Sequence, residues 1–209
     1  MAPEEAYNPT ADATRRQRLY RLSVIVLKRR DMGETDRLLT VFSRDQGKAT
    51  LLAKGVRRSA SRKAGHIEPF TYTELLVARG ASLDLVTQAE TIEAHRRLRE
   101  DLWLSSHAYY VVELVDALSQ DADPNALLFD ELLATLGRLD AAAEPGAAQP
   151  GLAVRYFEMH ALAFAGLQPQ LHRCVQCNDL LKPEVNFLSL DRGGCLCPRH
   201  GANLAGTTA

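Results

Sequence analysis

The residues best suited to chemistry lie near the C-terminal end of the chain. Cys174-Val-Gln-Cys177 is followed, after 17 intervening residues, by Cys195-Leu-Cys197-Pro-Arg-His200-Gly201. Paired thiolates at this spacing form a knuckle whose backbone amides point at the sulfurs, and two such knuckles enclose zinc in a tetrahedron. Enough donors are present to close the shell and leave no position for a reactive water. The expectation is therefore one structural Zn2+ per chain. Cys174, Cys177 and Cys197 are common to every ligand set, and the fourth ligand is Cys195 or His200. Thiolate softness favours Cys195 and knuckle spacing favours His200; the four-cysteine set is carried forward, with His200 as its alternative. No secretory signature accompanies these cysteines, so their clustering reads as a metal site rather than a disulfide framework.

A second constellation is electrostatic. Residues 46 to 67 carry Lys48, Lys54, Arg57, Arg58, Arg62 and Lys63 and no acid, with Gly47, Gly55 and Gly65 between them. A glycine-flanked cationic loop suits a partner with repeating negative charge, and phosphate backbones are the commonest such partner. The chain's formal net charge of -1 hides an asymmetry. Residues 1 to 100 hold 19 Lys+Arg against 13 Asp+Glu, and the remainder holds 6 against 13. A basic half joined to an acidic half implies nucleic-acid contact by one part only. Arg29 and Arg30 extend the cationic surface. Of the nearby aromatics, Phe42 and Phe70 read as core, whereas Tyr72 is a candidate for stacking on a base.

The elements that must hold these residues follow from periodicity. Apolar, β-branched runs at Arg21–Lys28, Asp36–Ser43, Lys48–Val56, Pro69–Ala78 and Ser82–Ala94 predict five strands joined by short turns and by the basic loop. Five strands in about 75 residues suggest a small barrel of the OB type, which binds single strands by combining a cationic groove with aromatic faces. Beyond His95 the pattern becomes helical. Leu104, Ala108, Val111, Val115 and Leu118 share one face. Asp123-Pro124 reads as an N-cap with proline in the first turn, opening a helix to Asp140 with Leu128, Leu132, Thr135, Leu136 and Leu139 inward. Ala141 to Gly151 is a linker, and a further helix over 152–165 is stopped by Gly166 and Pro169.

The fold class expected is α+β and multidomain. Residues 1–18 form a flexible extension, 19–95 an OB-fold nucleic-acid-binding domain, 96–170 a helical domain, 171–201 a zinc ribbon-like module inserted in or packed on it, and 202–209 a tail. The polar N-terminus lacks a signal core and no apolar run reaches the roughly 18 residues a bilayer needs, so a cytoplasmic protein without membrane contact is expected. Phosphate-binding, dinucleotide-binding, HExxH and GxSxG motifs are absent from the sequence. No acid/base pair assembles among the six scattered histidines, which argues against an enzyme and a small-molecule substrate.

Three segments together resemble the bacterial recombination mediators of the RecO family. They are Gly33 to Phe70, with its Gly-Glu-x-Asp turn and Lys-Gly-x-Arg-Arg loop closing on Pro-Phe; the helix around Tyr109 to Leu114; and Tyr156 to Cys177, with a Gly-Leu-x-Pro turn before the first knuckle. The resemblance runs from about residue 20 to 200. It implies an OB-fold, a helical domain, a zinc module and a non-catalytic role. It also implies binding of single- and double-stranded DNA, annealing of complementary strands, and action with RecR to load RecA on DNA covered by single-strand-binding protein. Carried onto this sequence, the DNA-contacting positions are Lys54, Arg57, Arg58, Arg62 and Lys63. Two departures stand out: the second knuckle ends in His200 where metal-binding relatives have cysteine, and relatives continue in helix beyond this point. The rival reading is an OB-fold and zinc-ribbon RNA-binding protein of translation or transcription.

Overall fold

Residues 19–144 and 149–202 are described by the computed structural model. The expected extension over 1–18, part of the expected linker and nearly all of the expected tail lie outside these residues.

Five strands close a barrel. They are β1 (Leu19–Met32), β2 (Asp36–Ser43), β3 (Gly47–Ala53), β4 (Tyr72–Ala78) and β5 (Asp84–Glu93). The order around the barrel is β1-β2-β3-β5-β4, with β4 returning to β1. All pairings are antiparallel except β3 with β5. This is the OB arrangement, and alternate residues fill its interior, among them Leu22, Val24 and Val26 of β1, Leu39 and Val41 of β2, and Leu75 and Val77 of β4. β1 extends four residues past Lys28, because Arg29 to Met32 pair with Asp36 to Leu39 across the hairpin. A bulge between Val26 and Lys28 precedes that extension.

The opposite face of β1 and β2 is just as dry. Ile25, Leu27 and Phe42 are fully buried without belonging to the barrel interior. Helices cover them. α1 (Arg97–Glu100) and α2 (Leu102–Leu118) are separated by Asp101, whose extended backbone and side chain cap α2 by accepting from the amide of Leu104 at 2.9 Å. Leu104, Ala108, Val111, Val112 and Val115 form the inward face of α2. α3 (Ala126–Ala141) buries Leu128, Phe129, Leu132, Thr135, Leu136 and Leu139. The ring of Phe129 lies 6.1 Å from that of Phe42 and 5.8 Å from that of Tyr72.

The cap of α3 differs from the expected Asp123. Asn125 accepts from the amide of Leu128 at 3.0 Å. Residues 121–123 are committed elsewhere: the Ala122 amide donates to the Lys48 carbonyl at 2.9 Å, and Asp123 lies against Gly47. A Cβ on Gly47 would stand 2.3 Å from the Asp123 carbonyl oxygen, and the residue has φ +70°, so both space and conformation demand glycine.

α4 (Pro150–Phe164) follows. The chain divides into two compact units whose boundary, between Phe157 and Glu158, falls within α4. In the second unit, β6 (Phe187–Ser189) and β7 (Gly194–Leu196) form an antiparallel hairpin that leads into the single turn α5 (Pro198–Gly201). None of the described helices is long and apolar enough to cross a membrane.

Candidate nucleic-acid interface and metal centre

The basic loop leaves the end of β3 and docks on the β1–β2 turn. The carboxylate of Asp36 accepts from the Gly55 amide at 2.8 Å, the Arg57 amide donates to the Thr35 carbonyl at 2.9 Å, and the Arg57 guanidinium reaches the Gly33 carbonyl at 3.2 Å. The amide of Gly55, followed by the hydroxyl of Thr35, holds the Asp36 carboxyl below the usual carboxylate range. Asp36 thus acts as a local staple, keeping its charge while orienting the loop. Inside the loop, tight turns carry the chain from Gly55 to Arg58 and from Arg58 to Ser61, and a 3-10 turn covers Ala64–His66. His66 Nδ1 accepts from the Thr91 amide at 3.2 Å, which ties the far end of the loop to β5.

The cations nominated from sequence separate into three groups. Lys54, Arg58 and Arg62 are exposed, as is Arg30 at the end of β1, and none of the four forms an ion pair among the described residues. Arg57 is also exposed, though its Nε lies 3.4 Å from Asp31. Lys63 turns inward. Its ammonium donates to the carbonyls of Val86 at 2.9 Å and Lys54 at 3.2 Å, and burial lowers its pKa against the opposing field of Asp36. Lys48 and Arg29 are paired. Lys48 Nζ lies 3.1 Å from the Asp116 carboxylate and donates to the Asp116 carbonyl at 2.7 Å, near the C-terminal end of α2. Arg29 pairs with Glu68. Tyr72 is half-buried with its ring edge-on to Phe129, so it packs as part of the barrel–helix contact.

From sequence Phe70 reads only as a core residue at the loop's Pro-Phe exit, and His95 and Arg99, which hold that exit, are not singled out. Phe70 is fully buried with φ +70°, a conformation costly for an aromatic residue. Its carbonyl accepts from His95 Nδ1 at 2.9 Å, the Pro69 carbonyl accepts from the Arg99 guanidinium at 2.9 Å, and its ring meets that of Tyr109 edge-on at 4.7 Å. Burial lowers the pKa of Arg99, yet the side chain stays in place because two acceptors of the loop's exit face it. The signal available in sequence was only the unusual density of Arg and His between 95 and 99.

In the second unit, Cys174, Cys177, Cys197 and His200 bring their ligand atoms within 4.8 Å of one another. Cys174 Sγ lies 3.7 Å and Cys197 Sγ 3.2 Å from His200 Nδ1, and Cys177 Sγ lies 4.0 Å from Cys197 Sγ. A tetrahedral ion with Zn–S of about 2.3 Å and Zn–N of about 2.0 Å gives S···S edges near 3.8 Å and S···N edges near 3.5 Å. The gathered atoms fit that shell. Burial pushes the Cys174 thiol up, but backbone amides of Cys197, Cys177 and Gln176 outweigh it and bring the pKa down to about 6. Cys177 is pushed up to about 11: the backbone at Asp179 pulls it down, and burial and the neighbouring sulfurs overcome that.

Cys195 is not among the gathered ligands, and His200 takes the place that the four-cysteine expectation gave to Cys195. The reason is local. Cys195 sits mid-strand in β7, its amide donating to the Gln170 carbonyl at 2.8 Å and its carbonyl accepting from the Val175 amide at 2.9 Å. Cys197 leaves the strand and begins the turn of α5, where the amides of His200 and Gly201 both bond back to its carbonyl at 2.9 Å. That turn returns the fourth residue of Cys-Pro-Arg-His to the first, as in the Cys174–Cys177 knuckle.

Comparison with known proteins decides the lineage. The sequence model described as "Recombination protein O N terminal" matches residues 18–95, and that described as "Recombination protein O C terminal" matches residues 99–208. The chain belongs to the RecO family. Its similar relatives include the DNA repair protein RecO of Roseiflexus sp. (strain RS-1), 42% identical over 183 residues, covering 88% of this chain and 62% of that one. That of Pelotomaculum thermopropionicum is 41% identical over 180 residues, covering 86% and 68%. That of Bacillus velezensis is 35% identical over 176 residues, covering 84% and 66%. The chain thus spans 62% of the length of the Roseiflexus relative and about two thirds of the others. Within the RecO frame, the barrel with its basic loop is the matched N-terminal part, and the helices from α2 onward with the Cys/His cluster are the matched C-terminal part.

Proposed function

We propose that this RecO-family chain is a non-catalytic DNA-binding protein of recombinational repair. In this reading it engages the phosphates of single- and double-stranded DNA through the loop end of its barrel and anneals complementary strands. With RecR, it promotes loading of RecA on DNA covered by single-strand-binding protein. It works in the cytoplasm at the nucleoid. The observation that carries the reading is the separation of cations: Lys54, Arg57, Arg58 and Arg62 are solvent-facing on a loop that Asp36, His66, His95 and Arg99 hold in place. A fixed cationic lobe lowers the barrier to bringing two like-charged strands together, because counterions leave both strands on contact and no bond need be made or broken.

The metal proposed for the Cys/His cluster is one zinc ion in a structural role. Cys174, Cys177, Cys197 and His200 would hold it, and the closed four-donor shell supplies cross-linking rather than a reactive water. The proposed division of labour gives residues 19–95 to nucleic acid, 96–170 to a helical scaffold and 171–201 to the metal module.

The test is a pair of assays on the intact chain. Fluorescence-anisotropy competition between matched DNA and RNA oligomers, followed by annealing of complementary DNA strands, should show DNA binding and accelerated annealing. Arg57→Ala, Arg58→Ala and Arg62→Ala together should weaken binding uniformly across sequences, since backbone contacts carry no base information. Preference for RNA with no annealing would overturn the proposal in favour of an RNA-binding role.

A further inference from the structure

A second set of barrel cations is present and occupied from within. On the outer face of the sheet, Lys28 Nζ lies 2.9 Å from one oxygen of Asp116 and Lys48 Nζ lies 3.1 Å from the other. Arg44, in the β2–β3 turn, grips Asp130 of α3 with two parallel hydrogen bonds of 2.9 and 3.0 Å. A carboxylate held by two ammonium groups, and another in the fork of a guanidinium, present to these cations the same paired oxygens that a phosphate presents. Lys28 and Arg30 lie two residues apart on β1 and share a face, so this set continues into the open lobe through Arg30.

We propose that Lys28, Lys48 and Arg44 form a latent track for a polyanionic nucleic-acid strand, masked by the carboxylates of Asp116 and Asp130 acting as internal phosphate substitutes. This rests on the DNA-binding reading of the open lobe. At Arg44 the masking is weak enough to be displaced, since Arg44 and Asp130 are about half exposed and exposed pairs of this kind contribute little to stability; Lys48 and Asp116 are less exposed and yield after it. A strand that first engages the open lobe is held at high local concentration beside the track, and can exchange its phosphates for the two carboxylates. The track would supply contacts for the second strand that annealing requires.

The experiment measures anisotropy of a labelled oligothymidylate between 50 and 200 mM salt, using the full chain and variants whose thermal melts match it. Each cation released to phosphate steepens the log–log salt slope by about 0.7, so the affinity lost across that range grows about 2.6-fold per cation. Asp130→Asn and Asp116→Asn should each tighten binding at 50 mM and steepen the slope, whereas Glu100→Gln, an equal loss of charge on α1, should leave the slope unchanged. Arg44→Gln should cancel the gain in the Asp130→Asn background. Slopes of Asp116→Asn and Asp130→Asn equal to that of Glu100→Gln, in a chain that binds DNA and loses affinity with Arg58→Ala, would overturn the masking alone. Absence of binding by the unaltered chain at 50 mM would instead overturn the reading on which it rests.

Discussion

Replacing Cys195 and His200 one at a time separates the two ligand sets that the sequence allows. Binding of zinc by peptide-scale structural sites amounts to about 10–16 kcal/mol over four ligands. An equal share is about 2.5–4 kcal/mol per ligand, or roughly a hundredfold to a thousandfold in affinity. His200→Ala removes a donor whose Nδ1 lies 3.2 Å from Cys197 Sγ and 3.7 Å from Cys174 Sγ, so it should weaken zinc by that factor. Cys177→Ser should do the same. Cys195→Ser removes a thiol outside the gathered set, from a strand position fixed by two backbone hydrogen bonds, and should change affinity less than about threefold. Competition against a chromophoric chelator gives the affinities, and metal analysis gives the stoichiometry of one. The reasoning is refuted if Cys195→Ser loses zinc as Cys177→Ser does while His200→Ala keeps it.

Three further outcomes are expected. The open lobe offers four loop cations, Lys54, Arg57, Arg58 and Arg62, so log affinity for single-stranded DNA should fall with log salt at a slope of about -2.8, deepening to about -3.5 if Arg30 joins them. A slope at or beyond about -4.2 would instead return Lys48 and Lys63 to the set of contacts in the unaltered chain. Gly47→Ala should destabilise the first unit by about 2–4 kcal/mol in thermal or urea unfolding, because the added methyl meets the Asp123 backbone at a positive φ. Burial tends to raise the Asp116 carboxyl, but hydrogen bonds from Lys28 and Lys48 hold it below its ordinary value. A depressed folded pKa stabilises the protein above the unfolded value of about 4 and loses that contribution as pH falls below it. The stability gap between the unaltered chain and Asp116→Asn should therefore be present at pH 7 and narrow towards pH 3 in denaturant titrations.

How far the sequence could be read depended on whether a residue's role was local. Strand periodicity located all five barrel strands, since Val24, Val41 and Val77 need only a dry interior to explain them. Most of the inward face of α3 was legible for the same reason, at Leu128, Leu132, Thr135, Leu136 and Leu139, whereas Phe129, which meets Phe42 and Tyr72, was not singled out. Capping failed where a distant backbone intervened: Asp123 looks like the better cap, yet its peptide is packed on Gly47, 76 positions away in the chain. Charge was legible as a sum and not as a destination. Lys48, Lys63 and Arg58 are equivalent in the sequence, but Asp116, the Val86 carbonyl and solvent give them three different fates. Cys195 and His200 could not be ranked by composition because the decision lies in where β7 ends and the turn of α5 begins.

The contact between the 121–123 backbone and β3 also governs where the first unit can be cut. Family boundaries fall at 95 and 99, which invites truncation there. A chain shortened at that point would lose the hydrogen bond from the Ala122 amide to the Lys48 carbonyl and the cover over Ile25, Leu27, Phe42 and Phe70. The excised barrel would carry a greasy flank, prone to self-association during expression, and its apparent affinity for DNA would mix binding with aggregation. A dissection that keeps this cover must run beyond α3, so the smallest faithful reporter of the loop includes helices remote from it in sequence.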